Sequence, residues 1–242
     1  MKELSYVFVP VSALIASATC TLLTQPLGDY GVFNATLAGL IVLMPGLTLT
    51  TAMTELSTRN LVAGISRLSA ALVVFMGLGV GVALGNKLGA AIVGAAHSVA
   101  PRQLPFWTEL LAVGITPLAF TVLLRAHWRD ALYIVLSGFL AVETTKLGAG
   151  VIGTDLAPFI GALTVGLGSR LYAQLLKRPS SVTLIPGIML LVPGSVGFRS
   201  LAAMLDRQAG PGIQTAFGMI LTAMALVTGV LMSSLIIPVR ER

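Results

Sequence analysis

The chain has 242 residues, of which 56% are hydrophobic and only 10% are charged. Soluble domains carry about 25% charged residues, so this composition excludes an ordinary water-soluble domain and predicts an integral membrane protein. The net charge of +6 does not indicate a nucleic-acid partner, because the basic residues stand singly or in pairs between apolar segments. The single cysteine, Cys20, excludes an intrachain disulfide.

Apolar segments long enough to cross a bilayer follow one another along the whole chain. A transmembrane helix needs about 20 predominantly apolar residues. Eight predicted spans result: residues 6–24, 33–53, 61–84, 106–124, 130–148, 153–176, 180–198 and 212–238. Residues 85–105, rich in Gly, Ala and Pro, form the longest connection and predict a division into two repeat units, residues 1–100 and 101–242. The predicted fold is an all-α integral membrane protein with about eight transmembrane helices.

The basic residues predict the orientation of these spans, because cytoplasmic loops are enriched in Lys and Arg. If the N-terminus is cytoplasmic and eight spans alternate, ten of the 15 basic residues fall on the cytoplasmic side. The sequence therefore predicts a multi-pass protein of the inner cell membrane, with the lipid bilayer around it and both termini in the cytoplasm.

Two Pro-Gly segments resemble each other. When "IVLMPGLTLTTAMTELSTRNLVAGI" is shifted by 148 residues onto "MLLVPGSVGFRSLAAMLDRQAGPGI", Pro45-Gly46 meets Pro193-Gly194 and Arg59 meets Arg207. The copies lie in the second and seventh predicted spans, five spans apart, so they cross the bilayer in opposite directions. This arrangement is an inverted-topology repeat, which many secondary transporters use.

Proline and glycine at these positions predict two broken membrane helices. Proline removes an N–H group and clashes with the preceding turn, and a break in lipid survives only beside protein or a water-filled cavity. A helix that restarts after the break directs free N–H groups and a positive dipole end at the gap, which favours an anionic group. A single Pro-Gly pair is more simply a kink in a packed helix, but two copies at corresponding positions favour a binding site. The candidate substrate-binding residues are Pro45, Gly46, Thr48, Thr50, Thr51, Pro193, Gly194 and Ser195.

Ionisable residues in or near the apolar spans are candidates for proton coupling, because charges there are costly and often functional. Glu55, Glu143 and Asp155 are the candidates. Glu143 can instead pair with Lys146 on one helix face, and Asp155 can instead cap the sixth span. Glu109, near Trp107, fits a position among lipid headgroups. Arg59, Arg199, Asp206 and Arg207 are candidates for ion pairs or gates.

Common catalytic, nucleotide-binding and metal-binding motifs are absent from the sequence. It contains no Ser/His/Asp set, Walker-type loop, HExxH motif or paired-cysteine metal site. The Gly pattern "GLGVGVALG" (77–85) lies within a span and predicts close helix packing rather than dinucleotide binding. We therefore expect no cofactor, no metal and no enzymatic activity.

The Pro-Gly segments resemble a known family. "LMPGLTLTTAMTELSTRNLVAGISRL" resembles the core of the threonine/serine exporter family. "LLVPGSVGFRSLAAML", with the preceding "FIGALTVGLGSRLYAQLLKRP", resembles the second half of that family. The resemblance implies export of small polar amino acids such as threonine and serine, driven by the proton gradient. The resemblance also implies an alternative substrate, a dicarboxylate, which some family members with their halves on two chains export.

The chain departs from this family pattern at its front. Family members usually carry a soluble region and two further spans before the point that corresponds to residue 6. The chain therefore resembles a shortened member, with about three spans in its first unit and five in its second. Three alternatives stay open here: a fragment, a homo-oligomer in which the short form suffices, and a subunit that transports only with a partner chain.

Overall fold

Helices account for nearly all of the structure, a computed structural model that describes residues 2–28, 30–94, 105–205 and 209–238. No strand occurs within those ranges. The helices are α1 (Lys2–Leu22), α2 (Thr24–Leu27), α3 (Val32–Leu40), α4 (Gly46–Ser57), α5 (Leu61–Val93), α6 (Phe106–Leu123), α7 (Ala131–Ile152), α8 (Pro158–Leu176), α9 (Ser181–Leu191), α10 (Gly194–Leu205) and α11 (Ala209–Ile236). The predicted all-α class is confirmed.

Most residues of each predicted span are helical, although the second and seventh spans are interrupted and the sixth begins with a turn. In the described part of the chain, six helical segments are long and apolar enough to cross a membrane, and the bent pair α3–α4 adds a seventh. The apolar part of α6, Trp107–Leu123, is shorter than a full span. By length and composition the structure therefore contains six or seven spans, close to the eight that we predicted.

Helix contacts divide the chain into two units. Unit 1 comprises Met1–Ala52, Val62–Gln103 and Gly194–Phe217, and unit 2 comprises Met53–Leu61, Leu104–Pro193 and Gly218–Arg242. Unit 1 thus joins the N-terminal helices to α10, which is distant in sequence. The predicted repeat units, residues 1–100 and 101–242, describe internal symmetry rather than packing and stay a prediction.

In unit 1, α5 packs closely on α1 through glycines four residues apart. A Cβ atom built on Gly81 would lie 2.7 Å from Ala13 Cβ, and one built on Gly85 would lie 2.9 Å from Ser17 Cβ. Glycine at these positions lets the two backbones approach. The predicted packing role of the Gly pattern is confirmed. The packing continues at Gly89, so α5 extends to Val93 and the predicted connection, residues 85–105, begins too early.

In unit 2, α7 packs against α6, α8 and α9. Small residues again permit close contact, since a Cβ atom on Gly187 of α9 would lie 2.6 Å from Val165 Cγ1 of α8. Pro186 and Gly187 therefore lie inside α9 without ending it. The sixth predicted span begins at Pro158 rather than at residue 153, because Gly153 adopts a positive φ of 84° and a turn follows.

Candidate functional site

Both predicted Pro-Gly breaks interrupt their helices. After α3 the chain forms one 3₁₀ turn, Met44 becomes extended with ψ 129°, and α4 begins at Gly46. After α9, Val192 is extended with ψ 130° and α10 begins at Gly194. In each case the extended residue precedes a proline, whose ring disfavours helical geometry in its neighbour. The prolines therefore set the positions of the breaks.

The two breaks differ in their geometry. The first bends the chain by 57° between Val32–Leu43 and Gly46–Ser57. The second leaves Ser181–Met204 as one apolar segment long enough to cross a membrane. The sequence repeat predicts equivalent breaks, but the 3₁₀ turn before the first break has no counterpart before the second.

Gly46 and Gly194, the first residues of α4 and α10, lie against each other in unit 1. A Cβ atom built on Gly194 would lie 3.5 Å from Gly46 Cα and 3.4 Å from Met44 Cβ. Because α4 begins at Gly46 and α10 begins at Gly194, two helix N-termini converge at this contact, which we call the Gly46–Gly194 junction. The first N–H groups of a helix have no intrahelical partner and carry partial positive charge. Free N–H groups at helix N-termini can bind an anionic group such as a carboxylate, which is the role predicted for the two Pro-Gly segments.

The predicted hydroxyls differ in how they are placed near the junction. Thr48 and Ser195, in the first turns of α4 and α10, are half-buried. Thr50 is buried and donates to Gly46 O at 3.1 Å. Thr51 is exposed and donates to Leu47 O at 2.8 Å. Thr50 and Thr51 thus hydrogen-bond their own helix. The role of all four hydroxyls in binding stays a prediction.

An aromatic pair in unit 1 was not expected from the sequence. Phe33 of α3 stacks on Phe198 of α10, with ring centroids 5.9 Å apart. Phe198 lies one turn after Gly194 and is 1% exposed. Thr36, one turn after Phe33, has a buried hydroxyl with no hydrogen-bond partner among the residues that the structure describes. In the sequence, the only sign of this position was that Thr36 is a polar residue within the apolar segment that forms α3.

The three proton-coupling candidates all belong to unit 2. Glu55 is nine residues after Gly46 on α4, about 13 Å along the helix axis, and one of its carboxylate oxygens is buried. Asp155 is exposed in the turn between α7 and α8. The expectation that Asp155 caps the sixth span is wrong, because Ala157 occupies the N-cap position of α8. The proton-coupling role of each carboxylate stays a prediction.

Glu143 belongs to a cluster of three charged side chains. Lys146 Nζ lies 3.0 Å from Glu143 Oε1, which confirms the predicted pairing on α7. Lys146 Nζ also lies 2.7 Å from Glu109 Oε1 of α6. The expectation that Glu109 simply lies among headgroups missed this contact, because the two residues are far apart in sequence. Mutual pairing offsets the cost of placing these charges within apolar helices.

The gating candidates divide between described and undescribed residues. Arg59 is exposed in the turn after α4, with a positive φ of 64°. Arg199 is exposed on α10. Asp206 and Arg207 lie outside the described residues, so their predicted pairing and gating roles stay predictions.

A buried acidic cluster in unit 2 was missed by the sequence analysis. Asp130 is 4% exposed, accepts a hydrogen bond from Tyr172 OH at 2.8 Å and forms an ion pair with Arg178. The Tyr172 hydroxyl and the Asp130 carboxylate raise the pKa of Arg178 above its ordinary value. Asp130 immediately precedes α7, Tyr172 lies on α8, and Arg178 lies in the connection between α8 and α9. The cluster therefore links these three segments.

The described ranges contain no group of three or more His, Cys, Asp or Glu side chains that could hold a metal ion. A metal site was not predicted from the sequence either.

Family comparison decides the classification. The family model described as "Threonine/Serine exporter, ThrE" matches residues 109–236, more than half of the chain. The chain belongs to the threonine/serine exporter family. A second model, "Putative threonine/serine exporter", matches residues 1–89, so the two matches together cover both Pro-Gly breaks of this family member.

Proteins similar to this chain include two threonine/serine exporters and a pheromone-regulated membrane protein. The threonine/serine exporter of Corynebacterium glutamicum is 26% identical over 199 residues, which cover 81% of this chain and 41% of that protein. The probable threonine/serine exporter of Mycobacterium tuberculosis is 27% identical, over 80% of this chain and 39% of that protein. Pheromone-regulated membrane protein 10 of Eremothecium gossypii is 26% identical, over 83% of this chain and 28% of that protein.

The chain of this exporter-family member thus spans less than half the length of these relatives. No solved structure gives a significant match.

Proposed function

We propose that this chain is a secondary transporter, or the transport subunit of one, that exports small polar amino acids such as threonine or serine in exchange for protons. Its membership of the threonine/serine exporter family supports a transport role. The single observation that carries the proposed site is the Gly46–Gly194 junction, where two helix N-termini converge.

The junction suits the carboxylate of an amino acid. The N–H groups in the first turns of α4 and α10 would donate to that carboxylate. The hydroxyls of Thr48 and Ser195 would hydrogen-bond the polar parts of the substrate. Pro45 and Pro193 would hold the breaks open, while Thr50 and Thr51 would fix the first turns of α4 through their hydrogen bonds to its backbone.

Proton coupling requires a carboxylate that gains and loses a proton during transport. Glu55 is our first candidate, because it lies on the broken helix α4 and has one buried carboxylate oxygen. Glu143 and Asp155 follow. On the orientation predicted from Lys and Arg, Arg59 would face the cytoplasm and Arg207 the opposite side, where each could gate the path.

A graded substitution at Gly194 tests the site. Gly194→Ala adds a methyl group at 3.4 to 3.5 Å from its neighbours, an ordinary contact, so threonine transport should remain near wild type. Gly194→Leu places a branched side chain in the junction and should reduce transport at least about tenfold. Transport is measured as threonine flux through sealed vesicles, with and without a pH gradient. Gly39→Leu is the matched control, because its Cβ would meet nothing within 4 Å.

Two outcomes would contradict the proposal. Normal gradient-stimulated flux through the correctly inserted Gly194→Leu variant would remove the junction as the site. Flux that is insensitive to the pH gradient would indicate a passive channel.

A panel that includes serine and a dicarboxylate identifies the substrate class. Flux that begins only when another chain is added would assign this chain as a subunit of a larger transporter.

The proton carrier is tested by Glu55→Gln, which keeps the size of the side chain and removes its charge. Transport by this variant should lose most of its stimulation by the pH gradient, while threonine binding changes less than about threefold. Glu143→Gln and Asp155→Asn serve as parallel variants. Unchanged stimulation in Glu55→Gln together with lost stimulation in either parallel variant would transfer the role to that residue.

A further inference from the structure

Unit 2 contains a cavity of about 160 Å³ among α7, α8 and α9. Leu136 and Leu140 of α7 line this cavity and are 49% and 42% exposed, so the cavity reaches the outer surface of α7. Gly168 of α8 also lines it, and the lack of a side chain there leaves room between the two helices. Both α7 and α8 are long and apolar enough to cross a membrane, so the cavity opens where lipid acyl chains pack.

The wall of the cavity is apolar, although residues with hydroxyl groups contribute to it. Ser137 Oγ donates to Thr183 O at 2.8 Å, and Tyr172 OH donates to Asp130 Oδ1 at 2.8 Å. Ser169 Oγ is buried beneath the cavity surface. An occupant therefore meets mainly hydrocarbon. An engineered protein cavity of similar volume, about 150 Å³, is lined by apolar side chains and binds benzene.

Basic residues gather at one end of this cavity. The rings of Tyr133 and Tyr172, which both line it, have centroids 5.1 Å apart, and Tyr172 also contacts Asp130. The ion pair between Asp130 and Arg178 joins the connection before α7 to the connection after α8. Residues 124–130 and 177–180, which form these connections, contain one acidic residue, Asp130, and four basic residues, Arg125, Arg129, Lys177 and Arg178.

Three positive charges at this end are available to an anionic group. Arg178 offsets the charge of Asp130, whereas Arg125, Arg129 and Lys177 are exposed and form no ion pair with any residue that the structure describes. We call these three residues the basic end. Trp128, next to Arg129, is 72% exposed, and exposed tryptophans of membrane proteins typically lie at the level of the lipid headgroups.

The depth of the cavity matches one leaflet of a bilayer. Leu140 is ten residues after Asp130, which is about 15 Å along the axis of α7. Half of the hydrocarbon core of a bilayer is also about 15 Å thick. The cavity thus extends from the headgroup level at the basic end to about the middle of the membrane.

We propose that the cavity binds an acyl chain of an anionic phospholipid whose phosphate group lies against Arg129 and Lys177. A phospholipid satisfies both features because its phosphate and its acyl chains are covalently linked. Free phosphate would use only the basic end, and a free hydrocarbon would use only the cavity. Basic pockets between transmembrane helices are a known mode of headgroup recognition. The site does not depend on the proposed transport function, and the Gly46–Gly194 junction belongs to the other unit.

The occupant is tested by native mass spectrometry of the purified full chain, released from micelles with equal amounts of phosphatidylglycerol and phosphatidylcholine. The two lipids carry the same acyl chains and differ in net charge. The wild-type chain should retain phosphatidylglycerol at least about fivefold more than phosphatidylcholine. Glycerol phosphate, which has no acyl chain, should not displace the bound lipid. Equal retention of the two lipids, or displacement by equimolar glycerol phosphate, would overturn the proposal.

The basic end is tested by Arg129→Gln and Lys177→Gln, each of which removes one positive charge from an exposed position. Either substitution should lower the preference for phosphatidylglycerol about three- to fivefold. Lys87→Gln is the matched control, because Lys87 is also exposed but lies on α5 in unit 1, and it should change the preference by less than about twofold. Equal losses in all three variants would indicate general attraction to the protein surface and refute a defined site.

The cavity is tested separately by Gly168→Leu. A Cβ at position 168 would meet only Leu140 Cδ1, at 3.9 Å, so the larger side chain can occupy the cavity without displacing the backbone. Retention of phosphatidylglycerol should fall at least about fivefold. Gly114→Leu on α6 is the matched control, because a Cβ there meets nothing within 4 Å, and it should retain lipid as the wild type does. Unchanged retention in Gly168→Leu would place the lipid outside the cavity and contradict the proposal.

The lipid site and the proposed transport site can fail independently. Gly194→Leu should lose threonine flux but keep the wild-type preference for phosphatidylglycerol, because Gly194 belongs to unit 1. Loss of that preference in Gly194→Leu would contradict a lipid site confined to unit 2. The lipid measurements involve no transport, so their outcome does not affect the junction.

Discussion

At the scale of single residues, the arrangement of charges depends on contacts that no local sequence pattern reveals. Asp130 pairs with Tyr172 and Arg178, which follow it by 42 and 48 residues. Lys146 has one partner three residues away and a second, Glu109, on another helix. The local partner was predictable from helix periodicity, whereas both distant contacts depend on how α6, α7 and α8 pack.

The cluster around Asp130 predicts a loss of stability on neutralisation. Asp130→Asn removes the ionic partner of Arg178 while keeping the size of the side chain, and should lower the free energy of unfolding by about 1–3 kcal/mol. Unfolding is followed by titration with denaturing detergent in mixed micelles. Asp155→Asn is the control and should remain within about 0.5 kcal/mol of wild type, because Asp155 is exposed. Equal effects of the two variants would contradict a stabilising role for Asp130.

At the scale of helices, proline and glycine either interrupt a helix or lie within a helix that packs closely on its neighbour. The positions of the interruptions were predictable from the sequence. Pro45-Gly46 and Pro193-Gly194 end or begin helices where the sequence indicated. Pro186-Gly187 lies inside α9, and the glycines from 77 to 89 hold α5 against α1. A glycine that permits close packing and a glycine that ends a helix look alike in sequence. For this reason the sequence located the breaks but misplaced the end of α5.

Two glycines of α5 that differ in their contacts predict opposite effects of the same substitution. Gly81→Ala would bring its Cβ to 2.7 Å from Ala13 Cβ and against the backbone of α1, and should destabilise the chain by about 1–3 kcal/mol. Gly77→Ala meets Pro10 Cδ at an ordinary 3.6 Å and should be neutral, or stabilising by up to about 1 kcal/mol through helix propensity. Unfolding by denaturing detergent compares the two variants. A destabilisation of equal size in both would argue against the α1–α5 contact.

At the scale of the whole chain, the composition predicted a lipid environment, and the long apolar segments predicted the all-α class. The repeat predicted that the two breaks correspond, and the structure adds that Gly46 and Gly194 meet in unit 1. Their unequal bending could not be predicted, because it depends on a 3₁₀ turn that no residue type specifies. The cavity among α7, α8 and α9 also escaped the sequence, since its lining is contributed by three separate helices.

The predicted orientation has a direct test at this scale. In a Cys20→Ser background, Arg129→Cys and Asp155→Cys place single thiols beside opposite ends of α7, at exposed positions. A membrane-impermeant thiol reagent should label Asp155→Cys in intact cells and Arg129→Cys only in inside-out vesicles. Labelling of both from one side would contradict a spanning α7, and the reverse pattern would invert the topology.

The length of α5 has a consequence for the membrane in which the protein works. Its 33 residues extend about 50 Å, whereas the hydrocarbon core of a bilayer is about 30 Å thick. The 20-residue interval from Arg67 to Lys87 alone matches that thickness. Apolar turns at both ends, with Val62 and Ile92 among their exposed residues, therefore reach the headgroup layers unless α5 tilts strongly. Thicker bilayers would cover these turns, so lipid chain length becomes a variable that acts on α5.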